Sequence, residues 1–394
     1  MKLLLLYALL ALLSSTLMAA SPSVSNLTAS QRAGTKLVDI TYDVSADTST
    51  VEITLEVSSD GGSSFTVPAT SLSGAIGAGV AVGTGRTITW DAGADWNQQS
   101  SSTMRFKVTA DDGIEAPVAP VGFAVIPGGR FQMGDALDGL SSAPVVTVDV
   151  SAFYMGKYEV TKSEWDAVRT WGLSNGYTDL SAGSGKGADH PVHSINWYAM
   201  VKWCNARSEA EGRTPCYTVS GLIYRTGVSG DVVCDWTANG YRLPTEAEWE
   251  KAARGGMTGK RFPWGDTISH ANANYSESTS YSYDTGDGSG YHPDYDSGGT
   301  PYTSPVGSFA ANDYGLYDMA GNVFEWCWDR YSNSSYSDGA ADPRGASSGS
   351  ERVRRGGSWL NYAYYCRVAY RRSTSPSRSA DGLGFRVALS SVPQ

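Results

Sequence analysis

The segment Gly315-Leu-Tyr-Asp318-Met-Ala-Gly321-Asn322-Val323-Phe-Glu325-Trp326 constrains the fold of this chain more than any other stretch. Its two carboxylates, Asp318 and Glu325, bracket a turn whose carbonyls can converge. That is the oxygen-only surrounding a hard cation prefers, at about six to eight ligands. The plainer alternative is that these acids only cap loop backbones. Three more segments mix glycine, arginine and large aromatics: Gly240-Tyr-Arg242-Leu-Pro244-Thr245-Glu246-Ala-Glu248-Trp249-Glu250, Arg355-Gly-Gly-Ser358-Trp359 and Gly384-Phe385-Arg386-Val387.

At 394 residues the chain has room for two or three domains, taking about 150 residues for each. It opens with Met1-Lys2, an apolar run from Leu3 to Leu13 and small residues at Ala19-Ala20-Ser21. This is the layout of a cleavable secretory signal over residues 1–20. The apolar run is too short to cross a bilayer, and no later run reaches the roughly 18 apolar residues of a membrane helix. The expectation is an exported chain, periplasmic, cell-surface or extracellular, with no membrane span after signal cleavage. A net charge of −10 argues against a nucleic-acid partner, because phosphate contacts need clustered Lys and Arg. One basic cluster is local: Arg352, Arg354, Arg355, Arg367, Arg371, Arg372 and Arg378. It serves either internal ion pairs or an acidic ligand.

Five cysteines in an exported chain suggest disulfides with one thiol left over. Cys216 and Cys234 flank an expected hairpin, Tyr217-Thr-Val to Asp231-Val-Val, and are the best pairing. Cys204 falls on a helical stripe with Trp197, Met200 and Val201, as a buried thiol does. Elimination leaves Cys327 with Cys366.

Residues 22–113 alternate apolar and polar in Leu37–Val44, Val51–Val57, Thr87–Trp90 and Met104–Thr109. Turn signals at Asp60-Gly61-Gly62 and Ala92-Gly93 separate these segments, so a small antiparallel β-sandwich is expected. It looks like an immunoglobulin or fibronectin type III module, a spacer or adhesive domain with no titratable cluster of its own. Residues 114–122, with Pro117 and Pro120, read as a linker. A second domain covers 123–390, beginning with a strand near Phe123 and continuing through Val145–Tyr154 and Tyr158–Thr161. Two capping boxes, Thr161-Lys-Ser-Glu164 and Thr245-Glu-Ala-Glu248, open helices. A third helix runs from about Trp197 to Glu211 and stops near Gly212. Asp284–Thr303 is a long irregular loop of a kind usually functional or metal-stapled.

The four motifs, in their order, resemble the formylglycine-generating enzyme (sulfatase-modifying factor) superfamily over about residues 120 to 390. The resemblance implies an α+β domain similar to the C-type lectin fold, with much irregular structure, following the β-sandwich. It implies structural calcium bound by the side chains of Asp318 and Glu325 and the carbonyls of Gly321 and Val323. A second calcium site would use Asn274, the carbonyl of Tyr275, Asp296 and a carbonyl near Gly298, the last two with a shifted register. In the archetype two cysteines bind copper(I), which soft thiolates select. Counting forward from Gly357-Ser358 gives Asn361 and Cys366 at those positions; counting back from Arg367 puts Ala363 in the second and Cys366 outside. Neither register yields two thiols, so copper and formylglycine formation are not expected. Ser358 matches the serine lining the family's groove, and Ser358, Asn361 and Cys366 are the candidate groove residues.

His190-Pro-Val-His193 is held extended or turned by Pro191, and His270 and His292 lie singly in loops, so no histidine metal site is expected. No Ser/His/Asp order, phosphate loop or dinucleotide fingerprint appears in context. Trp326, Trp328, Tyr331, Trp359, Tyr362, Tyr364, Tyr365 and Tyr370 crowd the motifs. Such residues fill cores, and they also make contact surfaces. Two functions follow: a non-catalytic, calcium-stabilised module binding an extracellular or periplasmic protein, peptide or glycan, or an oxidoreductase of the superfamily acting on a secreted protein.

Overall fold

The computed structural model describes residues 22–390, apart from 47, 114–117, 229, 289, 334 and 335. The expected signal segment and residues 114–117 of the linker lie outside the described residues. The rest falls into two compact units, 22–113 and 118–390.

In the first unit, alternation becomes two antiparallel sheets. One orders Ser23–Gln31, Leu37–Ser45, Gly83–Asp91 and Leu72–Gly74; the other orders Gly77–Ala81, Thr50–Ser58 and Arg105–Asp111. Ile40, Tyr42, Ile88 and Trp90 of the first share one core with Val51, Ile53 and Val108 of the second. All four strands expected from the sequence form. Ser23–Gln31, also a strand, gave no alternation to read, because it is exposed along nearly its whole length.

The second unit mixes helix and sheet. A four-stranded antiparallel sheet orders Tyr241–Arg242, Ala388–Ser390, Phe153–Gly156 and Phe123–Ile126. Another orders Arg372–Thr374, Arg352–Arg355, Phe324–Arg330 and Leu383–Gly384, with only the last pairing parallel. Both capping boxes form, on helices Lys162–Ser174 and Glu246–Arg254. Helix Trp197–Ala210 is buried along most of its length, with Cys204 inside as a free thiol. Tyr158–Thr161 does not continue the sheet: the chain bends there, Glu159 is drawn inward, and Thr161 caps a helix.

The disulfide expectation is corrected: all five cysteines are free and buried. The expected antiparallel pairing does form, but as one side of a three-stranded sheet in which Tyr217–Val219 turns first into Leu222–Ile223, and its register sets Cys234 opposite Tyr217. Cys216, one residue earlier, turns its thiol to the Gly240 carbonyl at 3.3 Å. Cys327 and Cys366 sit in different hydrophobic clusters, which removes the second pairing.

The helix Glu246–Arg254 is wholly buried despite three glutamates and two basic residues. Burying such charges costs several kcal/mol each unless they are paired. The three glutamates and Arg254 are paired: Glu246 takes both forks of Arg371 at 2.6 and 2.7 Å, Glu248 takes Arg242 at 2.7 Å, and Glu250 holds Arg254 and Arg355; Lys251 donates to the Gly129 carbonyl instead. The Tyr336 hydroxyl lies 2.7 Å from a Glu246 oxygen and 2.6 Å from an Asp329 oxygen. One hydroxyl proton cannot serve both acceptors, so one carboxyl must carry a proton. Burial and the Glu246 charge push Asp329 up to about 7, which makes it the protonated partner.

Candidate functional site

The segment from Gly315 to Trp326 forms a turn before entering the strand Phe324–Arg330. Asp318 and Asn322 both take left-handed backbone, at φ 56° and 55°. Gly321 is required because a Cβ there would come 2.4 Å from the Asn274 carbonyl oxygen. Asn322 then stitches the loops together: its amide donates to Glu159 at 2.6 Å and its side-chain oxygen accepts from the Ser304 N–H at 3.0 Å. The Asn322 N–H donates to the Asn274 carbonyl at 2.9 Å, so the two expected calcium loops abut.

Their donors are not equally available. Asp318 is buried, one oxygen accepts from the Gly307 N–H at 2.7 Å, and the other has no hydrogen-bond partner. Burial pushes its carboxyl up to about 6. Asp296 likewise has one buried, unpartnered oxygen, the other accepting from Gly299 at 3.1 Å. Asn274 reaches the same loop, donating to the Tyr302 carbonyl at 2.9 Å. By contrast, Glu325 is closed off: Arg386 grips both its oxygens at 2.7 Å, and Trp249 donates to one of them at 2.7 Å. The Tyr275 carbonyl is occupied by His270 at 3.0 Å, and Gly298 lies exposed in the turn after Asp296. Orphaned carboxylate oxygens at both loops fit a hard cation; Glu325, with both oxygens held by Arg386, does not fit as a ligand. Among the described residues no three His, Cys, Asp or Glu side chains converge on one metal position.

Glu159 was not singled out from the sequence. It is fully buried and pushed well above the carboxylate range by burial, then by Asp318 and Glu325. The signal was available: an acid between aromatic and apolar residues, directly ahead of a capping box. His270 and His292, single in their loops by sequence, bring their ring centroids to 4.7 Å with the planes tilted by 43°. His190 and His193 instead bond the hydroxyls of Thr303 and Ser194.

The turn Gly356-Gly357-Ser358 leads from strand Arg352–Arg355 to the groove. Ser358 donates to the Asn361 side-chain oxygen at 2.6 Å, and both line a cavity of about 370 Å³ with Phe324, Arg354, Leu360 and Arg372. Cys366 is not part of it. Its sulfur packs on Gly357, where a Cβ would lie 2.6 Å away, inside a cluster with Phe262, Ile268, Tyr275 and Ala363. Burial raises its thiol far above the ordinary range, which makes it inert. The other four cysteines belong to other clusters, so the residues present do not fit a two-thiolate copper(I) centre.

The chain belongs to the sulfatase-modifying factor enzyme 1-like family. The model of that domain matches residues 109–391. The chain is 34% identical over 296 residues to a formylglycine-generating enzyme of Thermomonospora curvata, covering 68% of this chain and 93% of that protein. It is 32% identical over 295 residues to a Bos taurus protein named inactive C-alpha-formylglycine-generating enzyme 2, covering 68% and 88%. Among solved structures, Treponema denticola variable protein 1 superimposes with a TM-score of 0.54 at 32% identity, covering 69% of this chain and 95% of that one.

Beside the groove of this sulfatase-modifying-factor domain the aromatics divide. Trp326 and Trp359 are buried, whereas Tyr362 is 47% and Leu360 45% exposed. Tyr364, Tyr365 and Tyr370 contact one another edge-on at 5.1 to 5.3 Å, and Tyr281 stacks on Tyr364 at 5.9 Å. The arginines divide as well. Arg355 and Arg371 serve the buried helix, and Arg367 pairs with Asp138 at 2.8 Å. Arg352 lies over Trp197 at 4.0 Å.

Proposed function

We propose that the chain is exported, that residues 22–113 form an immunoglobulin- or fibronectin-III-like spacer, and that the second domain is a non-catalytic binding module. Its groove at Ser358 and Asn361 would hold a peptide or glycan. The observation that carries this reading is the groove's composition: a serine, an amide, two arginines, one aspartate and apolar side chains, but no thiol. The one nearby sulfur is sealed beneath Gly357. The bovine relative named as inactive gives a precedent within the family. Exposed Leu360 and Tyr362 at the rim suit contact with a partner, since a rigid ring with a polar tip binds at low entropic cost.

Calcium is part of the same proposal. Asp318 with the Gly321 and Val323 carbonyls would hold one ion; Asn274, Asp296 and a carbonyl near Gly298 would hold a second. Bound there, calcium would neutralise orphaned carboxylate oxygens and pin the loops that frame the groove.

The alternative is an oxidoreductase acting on a secreted protein. Incubation with copper(I), oxygen and a Cys-x-Pro-x-Arg peptide, read by mass spectrometry, separates the two. The binding-module reading expects an unchanged peptide. A mass change assigned to formylglycine, and lost in Cys366→Ser, would overturn it.

A further inference from the structure

Three neighbouring arginines beside the groove lack a carboxylate partner. Among the described residues, no ion pair involves Arg354, Arg372 or Arg378, whereas Arg355, Arg367, Arg371 and Arg386 each hold a carboxylate and unpaired Arg352 is instead packed over Trp197 and bonded to the Trp328 carbonyl. They are neighbours. Arg354 and Arg372 face each other across the pairing of strands Arg352–Arg355 and Arg372–Thr374, and both line the groove with Ser358 and Asn361. Arg354 is half-buried over Phe324 at 4.6 Å, and its Nε is buried without a hydrogen-bond partner. Burial, together with the Arg372 and Arg378 charges, presses it down to about 10. Arg372 and Arg378 are exposed. The acid on the rim, Asp381, accepts from Ser194 at 2.8 Å and pairs with none of the three.

Like charges held together, with one guanidinium edge desolvated and unanswered, are costly unless a ligand supplies the counter-charge. We propose that the groove recognises a carboxylate carried by an acidic peptide, received between Arg354 and Arg372 with Arg378 at the entrance. The proposal deepens the binding-module reading and rests on it. Arginine suits a carboxylate because its planar fork makes two parallel hydrogen bonds. A peptide is favoured over a glycan by two features. Strand Arg372–Thr374 is the outer strand of its sheet, so an extended main chain can pair along it. Apart from Asp381, which is held by Ser194, and Gly382, the remaining lining, Phe324, Leu360, Ala380 and Leu383, is apolar and suits side chains flanking the acid.

The test pans a random peptide display library against the full chain and against the double variant R372Q/R378Q. Both substituted residues are exposed, and superimposable melting curves would verify the fold. The expected result is enrichment of Asp- or Glu-bearing peptides on the native chain. A synthetic hit should bind about tenfold or more weakly to the double variant. It should lose as much when its acid is exchanged for the amide, and weaken as salt is raised. Hits without acids that bind both proteins equally would overturn the carboxylate assignment while leaving the binding module standing. No enrichment from the library, with retention of a heparin-derived oligosaccharide instead, would overturn the peptide. No retention of either probe would overturn both readings.

Discussion

The helix Glu246–Arg254 and the groove at Ser358 lie on opposite sides of the strand Arg352–Arg355 in sequence, and both are rich in arginine contacts. They treat charge in opposite ways. Each glutamate of the helix is answered by arginine: Glu246 by Arg371 and Arg355, Glu248 by Arg242, Glu250 by Arg254 and Arg355. In the groove Arg354 and Arg372 stand side by side, and the one acid of the lining, Asp381, is bonded to Ser194 and pairs with neither. Consecutive residues divide the labour, since Arg354 turns to the groove and Arg355 to the helix. Matched buried charge fixes which fold forms; unmatched, part-exposed charge is available for a ligand.

The largest effect should come from breaking the matched side. Glu246→Gln strips Arg371 of its carboxylate in a fully buried setting, and should cost about 3–5 kcal/mol in chemical denaturation. A loss below about 1 kcal/mol would mean that the network contributes little. The next effect is a pH dependence. Asp329 titrates at 3.8 when unfolded and about 7 when folded. Between these values the folded state holds the extra proton, so stability should fall as pH rises from about 4 to 7 and level off above. Asp329→Asn should flatten that slope in melting curves taken across the range; an unaltered slope would place the proton elsewhere. Third, excess chelator should lower the melting midpoint of the second domain, by linkage worth about 2.7 kcal/mol if calcium stands at a hundred times its dissociation constant. An unchanged midpoint in protein verified to be metal-free would count against calcium.

Much of the scaffold could be read in the chain because its signals are local. Thr161 and Thr245 announced their capping boxes, and Ile40, Tyr42, Val51 and Ile53 alternated as half-buried strands do. The groove was legible at Ser358 and Asn361, which do meet. What failed depended on register or long-range pairing. Cys216 and Cys234 flank a real antiparallel pairing, but a one-residue offset separates their thiols. Glu325 looked like a ligand until Arg386, distant in sequence, was found gripping it. Of the seven clustered arginines, no spacing could tell Arg355, bound to Glu250, from Arg354, bound to no acid.

The contrast between matched and unmatched charge is tested most directly by the thermal midpoint of R372Q/R378Q, measured beside Glu246→Gln in the same buffer without any ligand. If the groove arginines are held for a partner, removing two of them relieves repulsion. The midpoint should then stay within the equivalent of about 0.5 kcal/mol of the native chain, or rise. A fall comparable to that of Glu246→Gln would show that these arginines hold the fold together, and would contradict the account.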